Sequence, residues 1–174
     1  MYENVRRTKG PGLYRLRGNL FLTGGILACV AVAVLVIGLV VYAGWYQLRF
    51  RSFLRDLSDS TTFAYENDCL YAEIDDREAL ISGDNVYIIY RLITNAGPGR
   101  LGAVPDEEPD VVLEYGDGSF LQLWSVKLVN SSTDREYGLF LRYVNQQGKS
   151  YAYDTDRISL EHMTARLPAA EPAL

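Results

Sequence analysis

The chain has 174 residues and a formal net charge of −5, but the charge is divided: residues 1–55 carry eight Lys/Arg against Glu3 alone (+7), and residues 56–174 carry nine against twenty-one Asp/Glu (−12). The acidic majority lacks the basic footprint that phosphate backbones require, so nucleic acid is excluded as a partner. The two cysteines, Cys29 and Cys69, lie too far apart for a disulfide framework and have neither CxxC nor zinc spacing.

The head, residues 1–19, concentrates Arg6, Arg7, Lys9, Arg15 and Arg17 around Gly10-Pro11-Gly12 and is too short to fold alone. Residues 20–46 contain no charge and hold fourteen Leu, Ile, Phe and Val residues. As a helix at about 1.5 Å per residue they reach about 40 Å, more than the roughly 30 Å of a hydrocarbon core. They read as a single transmembrane helix with the lipid bilayer as its first partner. Five Lys/Arg before the span against Arg49, Arg51 and Arg55 after it place the N terminus in the cytoplasm and the C-terminal domain outside.

A cleaved signal peptide is the competing reading, since Val41 and Ala43 suit the −3 and −1 positions of a cut. The apolar run is about twice a usual h-region of 7–15 residues, which favours an uncleaved signal-anchor. A lipoprotein signal at Ile26-Leu27-Ala28-Cys29 is disfavoured by the uncharged stretch that continues to Leu48. Gly24 and Ala28 form a small-xxx-small pair that would also suit a structural subunit packing through its span.

Tyr42, Trp45 and Tyr46, followed by Arg49 and Arg51, are expected to anchor the outer end of the span, with Tyr14 and Phe21 at the inner end. Residues 47–60 keep helical spacing at Phe50, Phe53 or Leu54, and Leu57. That pattern predicts an amphipathic juxtamembrane stalk lying at the headgroups.

From Thr61 to residue 167 the pattern predicts one extracytoplasmic α+β domain: an antiparallel sheet of about four or more strands with two flanking helices. Cys69–Ile74 reads as a strand, Asp75-Asp76 as a turn and Arg77–Ile81 as a returning strand. Ser82 or Asp84 can cap a helix carrying Val86, Ile89 or Tyr90, and Ile93 on one face, with a stop at Asn95–Pro98; its β-branched content also suits a strand, and helix is preferred because start and stop signals agree. Residues 100–109 read as an acidic loop. In DVVLEY, Val111, Leu113 and Tyr115 share a face; Gly116-Asp117-Gly118 turns the chain into Phe120–Leu128, which is apolar on both faces and reads as a central strand. A second hairpin joins Tyr137–Val144 to Ser150–Asp154 through Asn145–Lys149. Asp156 can cap a last helix carrying Leu160, Met163 and Leu167, and residues 168–174 are read as a disordered tail.

The candidate sites are weak in chemistry. His162 is the only histidine, beside Glu161, with no nucleophile motif in company. Gly116-Asp117-Gly118-Ser119 lacks the GK[ST] of a phosphate loop. The acidic groups Asp75/Asp76, Asp106/Glu107/Glu108/Asp110 and Asp154/Asp156 lack EF-hand spacing; paired carboxylates leave a membrane-bound hydrolase as an alternative. No catalytic, cofactor-binding or metal-ligating set is expected. Asn130-Ser131-Ser132 is a formal glycosylation sequon, and Cys69 reads as a small buried hydrophobe. Tyr151 and Tyr153 share a strand face and are the one expected binding surface, suited to an envelope protein, peptide or glycan.

The block VVLEYGDGSFLQLW followed by YAYDTDRISLEHM resembles the closing part of small uncharacterised single-pass envelope proteins of Gram-positive bacteria. The resemblance implies the same topology and compartment and brings no catalytic residue. The expected function is therefore a membrane-tethered extracytoplasmic binding, sensory or accessory module, with the hydrolase and the structural subunit as alternatives.

Overall fold

The computed structural model describes residues 12–74, 77–97, 99–127 and 137–165, with side chains from Gly25 onward. Residues 1–11 of the basic head, Asp75/Asp76, the sequon and the tail lie outside the described residues, as do the side chains of Tyr14 and Phe21. The chain divides into two compact units, Met1–Leu48 and Arg49–Leu174, and one helix, α1 (Gly12–Asn67), supplies residues to both.

From Gly25 to Gly44 α1 is apolar on every side. Ile26, Leu27, Val34, Leu35, Val40 and Val41 are exposed, and only this helix, among the described residues, is long and apolar enough to cross a membrane.

The second unit is α+β. After the last turns of α1 come β1 (Leu70–Ile74), β2 (Arg77–Ile81), α2 (Asp84–Asn95), β3 (Arg100–Leu101), β4 (Val111–Tyr115), β5 (Ser119–Lys127), β6 (Tyr137–Val144), β7 (Ser150–Thr155) and α3 (Leu160–Thr164). The strands form one seven-stranded antiparallel sheet in the order β2-β1-β4-β5-β6-β7-β3, wider than the four-strand minimum expected.

Register and alternation sort the side chains into two faces. One holds Leu70, Ala72, Val111, Leu113, Leu121, Leu123, Leu139, Leu141, Tyr143, Tyr151 and Tyr153, all buried. Helix α1 lies on it: the Phe53 ring centroid is 5.9 Å from that of Tyr143, 5.7 Å from Tyr151 and 5.3 Å from Tyr153, and Phe50 meets Tyr153 edge-on at 5.6 Å. The opposite face buries Trp124 against Phe140 at one end, beneath the chain around Gly102 and Glu107; the indole Nε1 donates to the Glu107 carbonyl at 3.0 Å. β5 is thus central and covered on both faces at that end, as its two apolar sides predict.

The stalk expectation is corrected. Residues 50–64 are the core helix of the domain, with Phe50, Phe53, Leu57 and Ala64 buried against it. The stripe that suits a lipid surface suits a sheet equally, and here the sheet covers it. The helix also runs past Thr61 to Asn67, with the Thr61 and Thr62 hydroxyls satisfied inside it by donating to the Leu57 and Ser58 carbonyls one turn back. It ends at Asp68, which takes a positive φ of 47°.

Residues 84–95 are helical, with Val86, Ile89 and Ile93 buried as the spacing predicts. The cap differs: Gly83, at φ 58°, stands at the N-cap without a side-chain bond, in place of Ser82 or Asp84. Residues 100–101 pair with β7 where a loop was expected, and α3 is capped by Ser159, not Asp156. Leu167 and Leu128 lie outside the described residues.

The β4–β5 turn leaves no room at Gly116. A Cβ there would lie 2.5 Å from Cys69 Sγ and 2.8 Å from its Cβ. Gly116→Ala should therefore destabilise by about 1–3 kcal/mol, the usual cost of overpacking. Thermal unfolding checks this: Cys69→Gly in the same background should restore most of the loss, and an unaltered melting temperature for Gly116→Ala would contradict the packing.

Candidate functional site

The densest polar grouping among the described residues joins α1 to the two hairpin turns. Asp56 and Ser60 lie one helical turn apart on α1, beside the buried Phe53–Leu57 stripe. Asp117 and Ser119 come from the β4–β5 turn, Tyr143 and Tyr151 from β6 and β7, and Asn145 and Gln146 from the turn between those strands.

Ser60 Oγ donates to Asp117 Oδ2 at 2.6 Å and lies 2.8 Å from Tyr143 Oη. Ser119 offers its hydroxyl (2.6 Å) and its backbone N–H (2.8 Å) to Asp117 Oδ1, an Asx-turn that fixes the hairpin tip, and Gln146 Nε2 donates to Oδ2 at 2.8 Å. Asp56 Oδ2 accepts from Tyr151 Oη at 2.6 Å and Asn145 Nδ2 at 3.0 Å, while its backbone carbonyl accepts from Tyr143 Oη at 2.9 Å. Beside these groups lies a cavity of about 150 Å³ lined by Asp56, Asp59, Ser60, Tyr143, Asn145, Gln146 and Gln147.

The electrostatics fix the protonation states. Burial alone would raise the Asp56 carboxyl, but hydrogen bonds from Tyr151, Arg55 and Asn145 and the charge of Lys149 outweigh it and hold the group below its ordinary value. Burial opposes Asp117 likewise and is outweighed by Ser119, Ser60 and Gln146. Tyr143 and Tyr151 are pushed upward, by burial first; at Tyr151 the hydrogen bond to Asp56 adds to it. At neutral pH the carboxylates are charged and the phenols keep their protons.

Acid–base hydrolysis by two carboxyls needs their affinities pushed apart, one raised to serve as the acid. Asp56 and Asp117 are both lowered, and among the described residues the two serine hydroxyls bond Asp117, Tyr143 and each other, with no histidine or lysine among these partners. His162 is exposed on α3, its backbone N–H bonded to Ser159 Oγ at 3.4 Å. No group of three or more metal-ligating side chains occurs among the described residues. The arrangement clasps a helix to two hairpins.

Tyr151 and Tyr153 do not form an exposed stripe. They are 0% and 2% exposed, packed beneath Phe53, which corrects the expected binding surface. The reason is that the strand face they share is the one α1 covers. Tyr42 and Trp45 are exposed with ring centroids 6.1 Å apart, and Tyr46 is half-buried. Arg49 donates from Nη2 to the Ser150 carbonyl at 2.9 Å and sits 5.6 Å from the Tyr151 ring centroid, so it braces the domain; Arg51 is exposed. Cys69 is half-buried against Gly116.

Asp56 and Ser60 carry no site reading in the sequence, and Asp117 and Ser119 were read there only as part of a hairpin turn. One signal was available: Ser60 and Thr61 fall on the helical face that Phe53, Leu57 and Ala64 mark as core, and both are buried. No protein-family model, curated protein or solved structure matches the chain.

Proposed function

We propose that the protein is a single-pass, membrane-tethered binding module, with the basic head in the cytoplasm and the acidic α+β domain on the outer side. The observation that carries this reading is the stretch of α1 from Gly25 to Leu48, whose large apolar side chains are exposed among the described residues. Apolar surface on that scale needs a non-aqueous partner, and a bilayer core matches its length. The charge split across the helix supports the orientation. The clasp of carboxylates and hydroxyls supports a binding role over chemistry, since its groups are committed to holding the domain together.

The test is membrane extraction combined with protease treatment of intact cells expressing the full chain. The protein should stay with membranes through alkaline carbonate washing, and external trypsin should remove the domain while sparing an epitope on the head. Release by carbonate, or a domain protected on the inside, would overturn the proposal. Affinity capture from those membranes should return a specific partner.

A further inference from the structure

The sheet face opposite α1 is covered at the Trp124–Phe140 end and open at the other. Across the open end the ladder sets Leu80, Tyr71, Glu114 and Phe120 side by side in one row, and Glu78, Glu73, Val112 and Gln122 in the next. Leu80 is 48% exposed and Tyr71 38%, large apolar side chains with water over them. Glu73, Glu78 and Glu114 are exposed beside them. Glu73 and Glu78 are direct cross-strand partners, an arrangement of like charges that costs stability.

Nothing among the described residues neutralises these three: none makes an ion pair. Arg77 alternates onto the other face of β2, and Arg142, which shares this face, lies three strands from Glu73 and bonds Gln122 and Ser150, each at 3.3 Å. The patch therefore combines uncompensated negative charge with exposed apolar rings and methyls. Its complement alternates cationic heads with aliphatic side chains.

We propose that this open end docks a basic protein segment, placing lysine or arginine heads on Glu73, Glu78 and Glu114 and aliphatic side chains on Tyr71 and Leu80. The proposal rests on the binding-module reading and names its surface and the chemistry of its partner. A simple polycation satisfies the glutamates but leaves Tyr71 and Leu80 uncovered, so a polypeptide fits the face better.

The test uses the full chain in zwitterionic nanodiscs, with a fluorescent peptide of alternating lysine and leucine as the probe, its glutamate–leucine counterpart and empty discs as controls. The lysine peptide should bind saturably. Glu73→Gln, Glu78→Gln and Glu114→Gln together should weaken it at least about tenfold, and Tyr71→Ala with Leu80→Ser should weaken it as well. Asp106→Asn, Glu107→Gln and Glu108→Gln remove the same charge from an exposed loop and should change binding less than about twofold. Equal losses in the two charge triples, no loss in either, or equal binding of spermine would overturn the proposal. Folding is verified by melting temperature, which should hold or rise when the Glu73–Glu78 repulsion is removed. A membrane partner that survives the glutamine triple variant would sink this face and leave the binding-module reading intact; probe binding at the face with no partner captured would do the reverse.

Discussion

Phe53→Ala should unfold the 49–174 unit more readily than any other single truncation on α1. The side chain is 1% exposed and its ring meets Phe50, Tyr143, Tyr151 and Tyr153. Removing a ring from such a site loses its transfer free energy and leaves a cavity that the tyrosines cannot fill without leaving their own contacts. The expected cost is about 3–5 kcal/mol. Against a total of roughly 5–15 kcal/mol for a domain, that is a large part of the margin. The melting temperature of the full chain in nanodiscs, followed by tyrosine and tryptophan signals, should fall by about 10–20 °C. Phe63→Ala, at an exposed position ten residues along the same helix, should move it by no more than about 2 °C. Equal responses would mean that α1 does not carry the core.

The second large effect belongs to Asp117. Its carboxylate accepts from Ser60, from the side chain and backbone of Ser119, and from Gln146, and both serines are buried. Asp117→Ala strands these donors, although Ser60 and Ser119 keep each other as partners at 2.8 Å. With the carboxylate itself half-exposed and screened by water, about 1–2 kcal/mol is expected, and Asp117→Asn should recover part of it. The pH dependence follows in sign. Both Asp56 and Asp117 lie lower in the folded protein than their ordinary value of 3.8, so the unfolded chain takes up protons first as pH falls. Their contribution is complete well above that value and is lost as pH drops through the folded values. Stability should be flat from neutrality to about pH 5 and decline below about pH 4, and Asp117→Asn should flatten the decline. An acid profile identical to that of the unaltered protein would show that Asp117 is not part of the clasp.

How far the sequence could be read depended on whether a feature was local. The helix at 84–95 was legible because Val86, Ile89 and Ile93 repeat at the helical period and Gly97 stops it; the β4–β5 hairpin was legible because Gly116-Asp117-Gly118 separates two alternating runs. Periodicity says that a stripe is apolar and leaves open what covers it. Phe50, Phe53 and Leu57 fit a lipid surface as well as a sheet, so the domain's first helix was read as a stalk. Tyr151 and Tyr153 failed for the same reason seen from the strand. The clasp was illegible in another way: Tyr151 reaches Asp56 across 95 residues and Ser60 reaches Asp117 across 57, and no local pattern encodes either meeting.

The placement of the core helix has a kinetic consequence. Phe50, Phe53 and Leu57 enter the chain about a hundred residues before Tyr151 and Tyr153, and the hairpins between them are assembled from sequential neighbours. As the domain is delivered in order from its N terminus, that aromatic ridge stays wet until the final hairpin emerges, while strands β4 to β7 can zip locally. Closure of the interior is therefore the last event of maturation, and a ribosome stalled before residue 150 leaves an adhesive fragment with the apolar ridge of α1 uncovered.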